Sequence, residues 1–171
     1  MLSFDLGSLA KHAAHVNAEL SPDDPVWQEG DPRPAGPIRV TGRLSSAGRG
    51  RFYLHARLEG AAALECRRCL TDVIAPASEE MQVVFAEEGD EEAGDDPDVY
   101  RFDPRSPELD IRPAVREQWL LSAPAYAQCS DDCKGLCPTC GADLNIASCD
   151  CAPASADPRW DALRRLKSRA E

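Results

Sequence analysis

The chain has 171 residues, a formal net charge of −11 and a sequence pI of about 4.7. This length fits one domain, or one domain with a small appended module, and the acidic balance excludes strong electrostatic attraction of the whole chain to nucleic acid or to an anionic membrane. No apolar run approaches the about 18 residues that a membrane span needs. The N-terminus lacks the basic and apolar regions of a secretion signal, so we expect a cytoplasmic protein.

The first 37 residues predict a helix followed by a proline-rich loop. Apolar side chains recur at helical spacing over residues 3–20, with Ser8 as a candidate cap: Leu6, Leu9, Ala10, Ala13 and Val16. His12 and His15 would lie on one face of that helix, a spacing that suits a metal but is typical of solvated or packed histidines as well. Prolines and glycines over residues 21–37 predict a loop.

Residues 38–85 predict a set of antiparallel strands. Two runs on either side of the turn at residues 45–50 alternate apolar and polar side chains, which is the period of a half-buried strand. One face of the resulting hairpin is apolar and the other is wet. The wet face carries these side chains: Arg39, Arg43, Arg51, Tyr53, His55 and Arg57.

The charge of this region differs from that of the whole chain. Between residues 33 and 68 there are eight arginines and two acidic residues, whereas residues 87–98 hold eight acidic residues and no base. The arginines are either a solvated sheet face or a surface that contacts RNA phosphates, since arginine suits bidentate phosphate binding and aromatic rings stack on bases. The acidic run has the composition of a disordered loop, and we expect it to mask the basic face when no partner is bound.

Two helices are predicted after the acidic run. Ile111, Val115 and Trp119 recur every four residues over residues 110–121, with Asp110 as the expected cap and a proline in the first turn. The tail carries a second apolar spacing, which predicts a short docking helix: Trp160, Leu163 and Leu166.

The eight cysteines are the strongest chemical signal in the chain, and in a reducing compartment they favour metal binding over a disulfide scaffold. They fall in one short pair and one dense cluster: Cys66 and Cys69; then Cys129, Cys133, Cys137, Cys140, Cys149 and Cys151. Four thiolates in a tetrahedron form a closed structural zinc site. We favour one site made by the last four cysteines and a second made by the first four, with a single zinc ion and spare thiols as the alternative.

A thiol redox enzyme or a redox-sensing chaperone is the competing interpretation, because Cys-x-x-Cys is also the motif of thiol exchange and flanking arginines lower a thiol pKa. A thioredoxin-like site begins a helix within a βαβ unit, whereas residues 70–74 continue as a strand. An iron–sulfur cluster is a further alternative, satisfied by the cysteine count but not by the familiar spacings. The sequence contains no Walker loop, no dinucleotide-binding glycine pattern and no nucleophile–base constellation.

Four motifs together resemble the YceD family, bacterial and plastid proteins linked to the accumulation of large-subunit ribosomal RNA. They are LECRRCL at 64–70, LDIRPAVRE at 109–117, CKGLCPTCGADLN at 133–145 and DPRWDAL at 157–163. The resemblance extends over residues 38–167. It implies a cytoplasmic role in the synthesis, processing or stability of 23S rRNA, without a known catalytic reaction.

We therefore predict an α+β protein with an antiparallel sheet or partial-barrel core and a C-terminal cysteine-rich zinc-binding module. Its parts are an N-terminal helix and loop at 1–37, a sheet domain at 38–125 and a zinc module with a helix at 126–171. The predicted function is that of a non-enzymatic ribosome-biogenesis factor with one or two zinc ions. Its partner is 23S rRNA or its precursor, or a ribosomal protein or ribonuclease, and neither a membrane nor a small-molecule substrate is expected.

Overall fold

The computed structural model describes residues 1–90, 96, 98–151 and 159. Strands dominate these residues, and two helices accompany them. In chain order the elements are β1 (Ser3–Asp5), α1 (Leu6–Leu9), β2 (Ala14–Leu20), β3 (Ile38–Gly48), β4 (Arg51–Glu65), β5 (Asp72–Glu87), β6 (Val99–Phe102), β7 (Glu108–Asp110) and α2 (Arg112–Ser122).

Five strands form one sheet in the order β2-β3-β4-β5-β6, and β1 pairs with β7 in a separate two-stranded sheet. The first four strands of the large sheet are antiparallel, as the alternation predicted, whereas β6 runs parallel to β5. The sheet does not close into a barrel, and the antiparallel arrangement predicted for its core is confirmed. Long β4 and β5 strands project past β3 and carry the first cysteine pair at their connecting turn.

The predicted N-terminal helix over residues 3–20 is wrong. The helix spans only Leu6–Leu9, and Asp5 rather than Ser8 caps it, because its side chain accepts from the Ser8 backbone amide at 2.7 Å. The following residues form β2, which pairs with β3 along its whole length. Val16 and Leu20 are four residues apart, a spacing that fits both a helix and alternate positions of a strand, and backbone pairing with β3 decides between them. His12 and His15 therefore share no helix face.

Helix α2 and the N-terminal segment cover the apolar face of the sheet. Ala114, Val115 and Trp119 of α2 are buried, which confirms the predicted apolar stripe. Trp119 lies over Gly60 so closely that a Cβ there would approach its ring to 2.9 Å. Asp110 lies in β7, one residue before the helix cap, yet its Oδ1 accepts from the Arg112 backbone amide at 2.9 Å.

The proline-rich loop packs against the helix. Asp31 receives two hydrogen bonds of 2.7 Å from the Arg116 guanidinium, and Trp27 is buried with its indole N–H donating to the Ser21 carbonyl at 2.8 Å. The apolar positions of the predicted tail helix lie outside the described residues, as does half of the acidic run. Within the part of the chain that is described, none of the helices has the length and apolarity of a membrane span.

Candidate metal centres and the polar sheet face

The turn between β4 and β5 is a tight loop closed by two backbone hydrogen bonds. The Cys66 amide donates to the Thr71 carbonyl at 2.8 Å, and the Leu70 amide donates to the Cys66 carbonyl at 2.8 Å. Leu70 has a φ of +59°, a left-handed conformation that a leucine rarely adopts. This turn directs the sulfurs of Cys66 and Cys69 to the same side.

Those two sulfurs meet two more from the C-terminal segment, and we call this group the hairpin cluster: Cys66, Cys69, Cys129 and Cys133. All four sulfurs lie within 4.8 Å of one another. The Cys66 and Cys133 sulfurs are 3.8 Å apart, and those of Cys69 and Cys129 are 3.5 Å apart. Three of the four cysteines are buried, with Val73 and Leu136 packed against them.

Backbone contacts attach the C-terminal segment to the hairpin. The Arg67 amide donates to the Ala127 carbonyl at 3.0 Å, and the Leu136 amide donates to the Arg68 carbonyl at 3.0 Å. The Arg67 guanidinium stacks on the Tyr126 ring at 4.2 Å. The segment also approaches the hairpin closely at Gly135, where a Cβ would lie 2.9 Å from the Arg68 carbonyl oxygen.

The remaining cysteines form the C-terminal cluster: Cys137, Cys140, Cys149 and Cys151. Its first two members lie on a turn built like the first one, with the Cys137 amide donating to the Ala142 carbonyl at 2.8 Å and the Gly141 amide donating to the Cys137 carbonyl at 2.9 Å. Their sulfurs and those of the other two cysteines also lie within 4.8 Å of one another. This cluster is more open to solvent, since Cys140 is exposed and the last two cysteines are half-buried.

Asn145 lies between Cys140 and Cys149 in sequence and contacts the hairpin cluster. Its side-chain amide donates to the Cys133 sulfur at 3.5 Å, and its carbonyl oxygen accepts from the Lys134 backbone amide at 2.7 Å. This residue was not among the predicted site residues. Asparagine at the end of the CKGLCPTCGADLN run was visible as part of a motif, but its contact with a sulfur twelve residues earlier depends on the fold.

The electrostatics of both clusters separate the thiols into two kinds. A backbone amide hydrogen bond from Arg68 lowers the pKa of Cys66 to about 6, and one from Cys140 lowers the pKa of Cys137 to about 6. The neighbouring Cys133 sulfur raises the pKa of Cys129 to about 12, and the Cys140 sulfur raises that of Cys151 to about 12. Four thiols this close cannot all ionise by themselves, whereas a divalent cation favours the thiolate form of each. Both clusters can hold a metal ion.

The polar face of the sheet carries the arginines in a different arrangement from the one the sequence suggested. Arg39, Arg43 and Arg57 are exposed on this face, as predicted. Arg51 is half-buried, and its guanidinium binds the Asp90 carboxylate at 2.5 and 2.8 Å. Asp90 belongs to the acidic run, so one carboxylate of that run does bind one arginine. Tyr53 is half-buried, and its hydroxyl donates to Gln82 at 2.9 Å.

Acidic residues of the neighbouring strands β2 and β5 reduce the positive charge of this face. Glu19 of β2 lies opposite Arg39, and Glu80 of β5 lies opposite Arg57. Arg57 also binds Glu59 at 3.2 Å. The local excess of arginine counted along the sequence is therefore reduced in three dimensions, because pairing brings in acids from segments that the count did not include.

One row across the sheet has no acid. His15, Arg43, His55 and Gln82 occupy directly paired positions on the four neighbouring strands β2 to β5. This row, beside Tyr53, is the part of the predicted RNA-contacting set that suits an anion best.

The sequence of the chain matches the model of one known protein family. A model of the family described as "Large ribosomal RNA subunit accumulation protein YceD" matches residues 54–167. This range is two thirds of the chain and includes all eight cysteines. No solved structure matches the chain.

Three curated relatives match. The chain is 34% identical over 74 residues to the chloroplastic large ribosomal RNA subunit accumulation protein YCED homolog 1 of Arabidopsis thaliana, covering 43% of this chain and 23% of that protein. The corresponding Zea mays protein is 41% identical over 69 residues, covering 40% and 23%. The chain thus spans about a quarter of the length of either chloroplast protein. The uncharacterized protein YlbN of Bacillus subtilis is 27% identical over 164 residues, covering 95% of this chain and 93% of that protein.

Proposed function

Because the chain belongs to the YceD family, we propose that it is a non-enzymatic ribosome-biogenesis factor that supports the synthesis, processing or stability of 23S rRNA in the cytoplasm. The observation that carries the proposal is the family match, which extends from β4 through both cysteine clusters. Among the described residues, the eight thiols lie in two four-sulfur groups, and no histidine belongs to either group. This arrangement supports a structural role for the thiols rather than a catalytic one.

We propose that each cluster holds one structural zinc ion. A tetrahedral site with Zn–S bonds of about 2.3 Å has neighbouring sulfurs about 3.8 Å apart. The 3.8 and 3.5 Å separations in the hairpin cluster agree with that geometry. Four protein thiols in each cluster leave no open coordination position, which supports a structural role rather than a catalytic one. Zinc would hold the β4–β5 hairpin and the C-terminal segment together.

The geometry weighs against the thiol redox alternative. Cys66 is fully buried, and the Cys66–Cys69 pair lies in a β-hairpin turn rather than at the start of a helix. A redox-active thiol needs access to its substrate and a thiolate free of other ligands. Metal analysis of freshly purified protein tests this point. Two zinc ions per chain, with thiols that react with a maleimide only after chelation, support the structural role, whereas metal-free protein with reactive Cys66 supports redox chemistry.

The test of the function is rRNA accumulation. We expect depletion of this protein in its own cells to lower the ratio of 23S to 16S rRNA, and re-expression to restore that ratio. Precursor 23S rRNA measured alongside separates a defect in processing from one in stability. An unchanged ratio after complete depletion would overturn the proposal for this chain. Incubation of the purified protein with a 23S precursor transcript tests the absence of catalysis, since cleavage or modification would assign an enzyme.

A further inference from the structure

The outward face of the sheet changes from polar to apolar at one end of β4 and β5. Outward positions of β4 are polar where β3 lies beside it, from Tyr53 to Glu59. Past the end of β3 the hairpin continues as a ribbon of β4 and β5, flanked by the Pro34–Ala35 segment, which pairs with Ala61 and Ala62 of β4. The outward positions of this ribbon are apolar. These positions form what we call the ribbon face: Ala61 paired with Pro76, and Ala63 paired with Ile74.

The ribbon face is exposed to solvent. Ile74 is 70% exposed, Ala63 and Pro76 are exposed as well, and the turn beyond them carries Leu70 at 59% exposure. A shallow hollow of about 350 Å³ lies at the end of the ribbon, between β4 and β5. Single exposed apolar residues are ordinary, but an apolar strip on a face that is polar elsewhere indicates an interaction surface.

The strip ends at two carboxylates that lie directly opposite each other. Glu65 pairs with Asp72 across the hairpin, and both are exposed. Like charges at directly opposed positions destabilise a pair of strands. Within the described ranges no lysine or arginine forms an ion pair with either residue. A cation placed between the two carboxylates would relieve this repulsion.

We propose that the ribbon face binds a basic protein through a segment that presents an aliphatic or aromatic side chain next to lysine or arginine. The apolar side chain would pack on Ile74 and Ala63, and the base would lie between Glu65 and Asp72. An RNA backbone suits this face less well, because its phosphates would meet the two carboxylates, although Arg67 and Arg68 are exposed on the adjoining turn. The inference rests on the proposed function in one respect: proteins that bind rRNA are basic, so a factor in large-subunit assembly encounters partners of this composition.

The experiment is site-specific photo-crosslinking in cells whose only copy carries benzoylphenylalanine at position 74. We expect a crosslink to a basic protein, identified by mass spectrometry from the crosslinked peptide. The same probe at Gln82, which is exposed on the polar face of the same sheet, should not give that product. In the Glu65→Gln/Asp72→Asn double variant the yield should fall by roughly fivefold or more.

The double variant also controls for folding. It removes the opposed like charges, so it should melt at or above the temperature of the parent chain and keep the same metal content. A crosslink to residues 152–171 of the same chain, to a second copy or to RNA would overturn the proposal. The proposal would also be overturned if the crosslink yield were unchanged in the double variant, or if no crosslink formed. If depletion still lowers 23S rRNA in those cases, the proposed function stands and only this surface fails.

Discussion

Leu70 and Gly141 occupy equivalent positions in two turns that are 71 residues apart in sequence. Each follows the second cysteine of a Cys-x-x-Cys pair, each donates its backbone amide to the carbonyl of the first cysteine, and each has a left-handed φ, +59° and +74°. Glycine adopts this conformation without strain, whereas leucine incurs about 1–2 kcal/mol. The two Cys-x-x-Cys turns therefore share one backbone conformation. Only the hairpin turn places a residue other than glycine in the left-handed conformation, so only that turn is strained.

This equivalence predicts opposite responses to substitution. Leu70→Gly should leave the melting temperature within a few degrees of the parent, because relief of strain offsets the higher entropy of glycine in the unfolded chain. Gly141→Leu should destabilise the C-terminal turn by about 1–2 kcal/mol, although a Cβ there meets no atom within 4 Å. Thermal unfolding of the purified proteins, measured in the presence of zinc, tests both. Gly36→Leu is the control, because Gly36 also has open space around it but no positive φ. A large loss of stability in Leu70→Gly would contradict the equivalence.

Gly135 is under a stricter constraint than Gly141. Its φ is +76°, and a Cβ would also lie 2.9 Å from the backbone carbonyl of Arg68, an atom that cannot swing away as a side chain does. We expect Gly135→Ala to cost about 2–4 kcal/mol, the sum of left-handed strain and overpacking. It should also loosen the hydrogen bond from Leu136 to Arg68. Gly141→Ala isolates the strain alone, so equal melting temperatures for the two alanine variants would argue against the close approach.

Much of the site was predictable from cysteine spacing, but not all of it. The two four-cysteine groups in the structure are the sets favoured from sequence, because Cys66 and Cys69 lie on a short turn and the last four cysteines are close along the chain. The C-terminal set follows from local spacing, and the hairpin set consists of the four cysteines that remain. The contacts from Asn145 to Cys133 and from Gly135 to Arg68 depend on how two distant segments meet, and no local pattern encodes that.

The errors in the fold have a similar origin. Residues 14–20 carry apolar side chains whose spacing suits a helix as well as a strand, and only pairing with β3 made them β2. The arginines of β3 and β4 were counted along one segment, whereas Glu19 and Glu80 come from β2 and β5. The spacing of apolar residues predicted β3, β4 and α2 correctly, because each of these elements has a spacing that fits only one type of secondary structure and places its apolar side chains on one face.

The Asp31–Arg116 ion pair predicts a pH-dependent attachment of the N-terminal loop. Hydrogen bonds from the Arg116 side chain lower the pKa of Asp31 below its usual 3.8. A carboxyl whose pKa is lower in the folded state stabilises it fully above the unfolded pKa and loses that effect as pH falls through the folded value. Asp31→Asn should therefore lower stability by a constant amount between about pH 5 and 7, and the difference from the parent should shrink below the usual pKa.

Urea unfolding at a series of pH values measures this difference. Asp23→Asn is a matched control, because Asp23 lies in the same loop and is exposed. Acid protonates the thiols of the two clusters in all three proteins, so loss of the proposed metal ions would cancel in the comparison. A stability difference that persists unchanged below the folded pKa, or that matches the control throughout, would show that the ion pair does not attach the loop.

The burial of the two clusters predicts an order in which their proposed zinc ions are lost. The hairpin cluster is enclosed by Val73, Leu136 and the strand ends, whereas Cys140 of the C-terminal cluster is exposed. Removal of one ligand from a structural zinc site abolishes most of its binding energy, which is also folding energy. Cys140→Ser should therefore retain one zinc per chain and an intact sheet. Cys133→Ser should lose the zinc of the hairpin cluster and weaken the other, because Cys133 begins the segment that leads to Cys137.

Native mass spectrometry of each variant, during stepwise addition of a chelator, counts the remaining ions. Ser130→Ala serves as the control, since its exposed side chain lies in the same loop and is not a ligand in either cluster. Asn145→Ala should speed loss from the hairpin cluster without changing the initial count, because it removes the hydrogen bond to the Cys133 sulfur. If Cys140→Ser lost both ions together, the clusters would form one cooperative unit, and the hierarchy inferred from burial would be wrong.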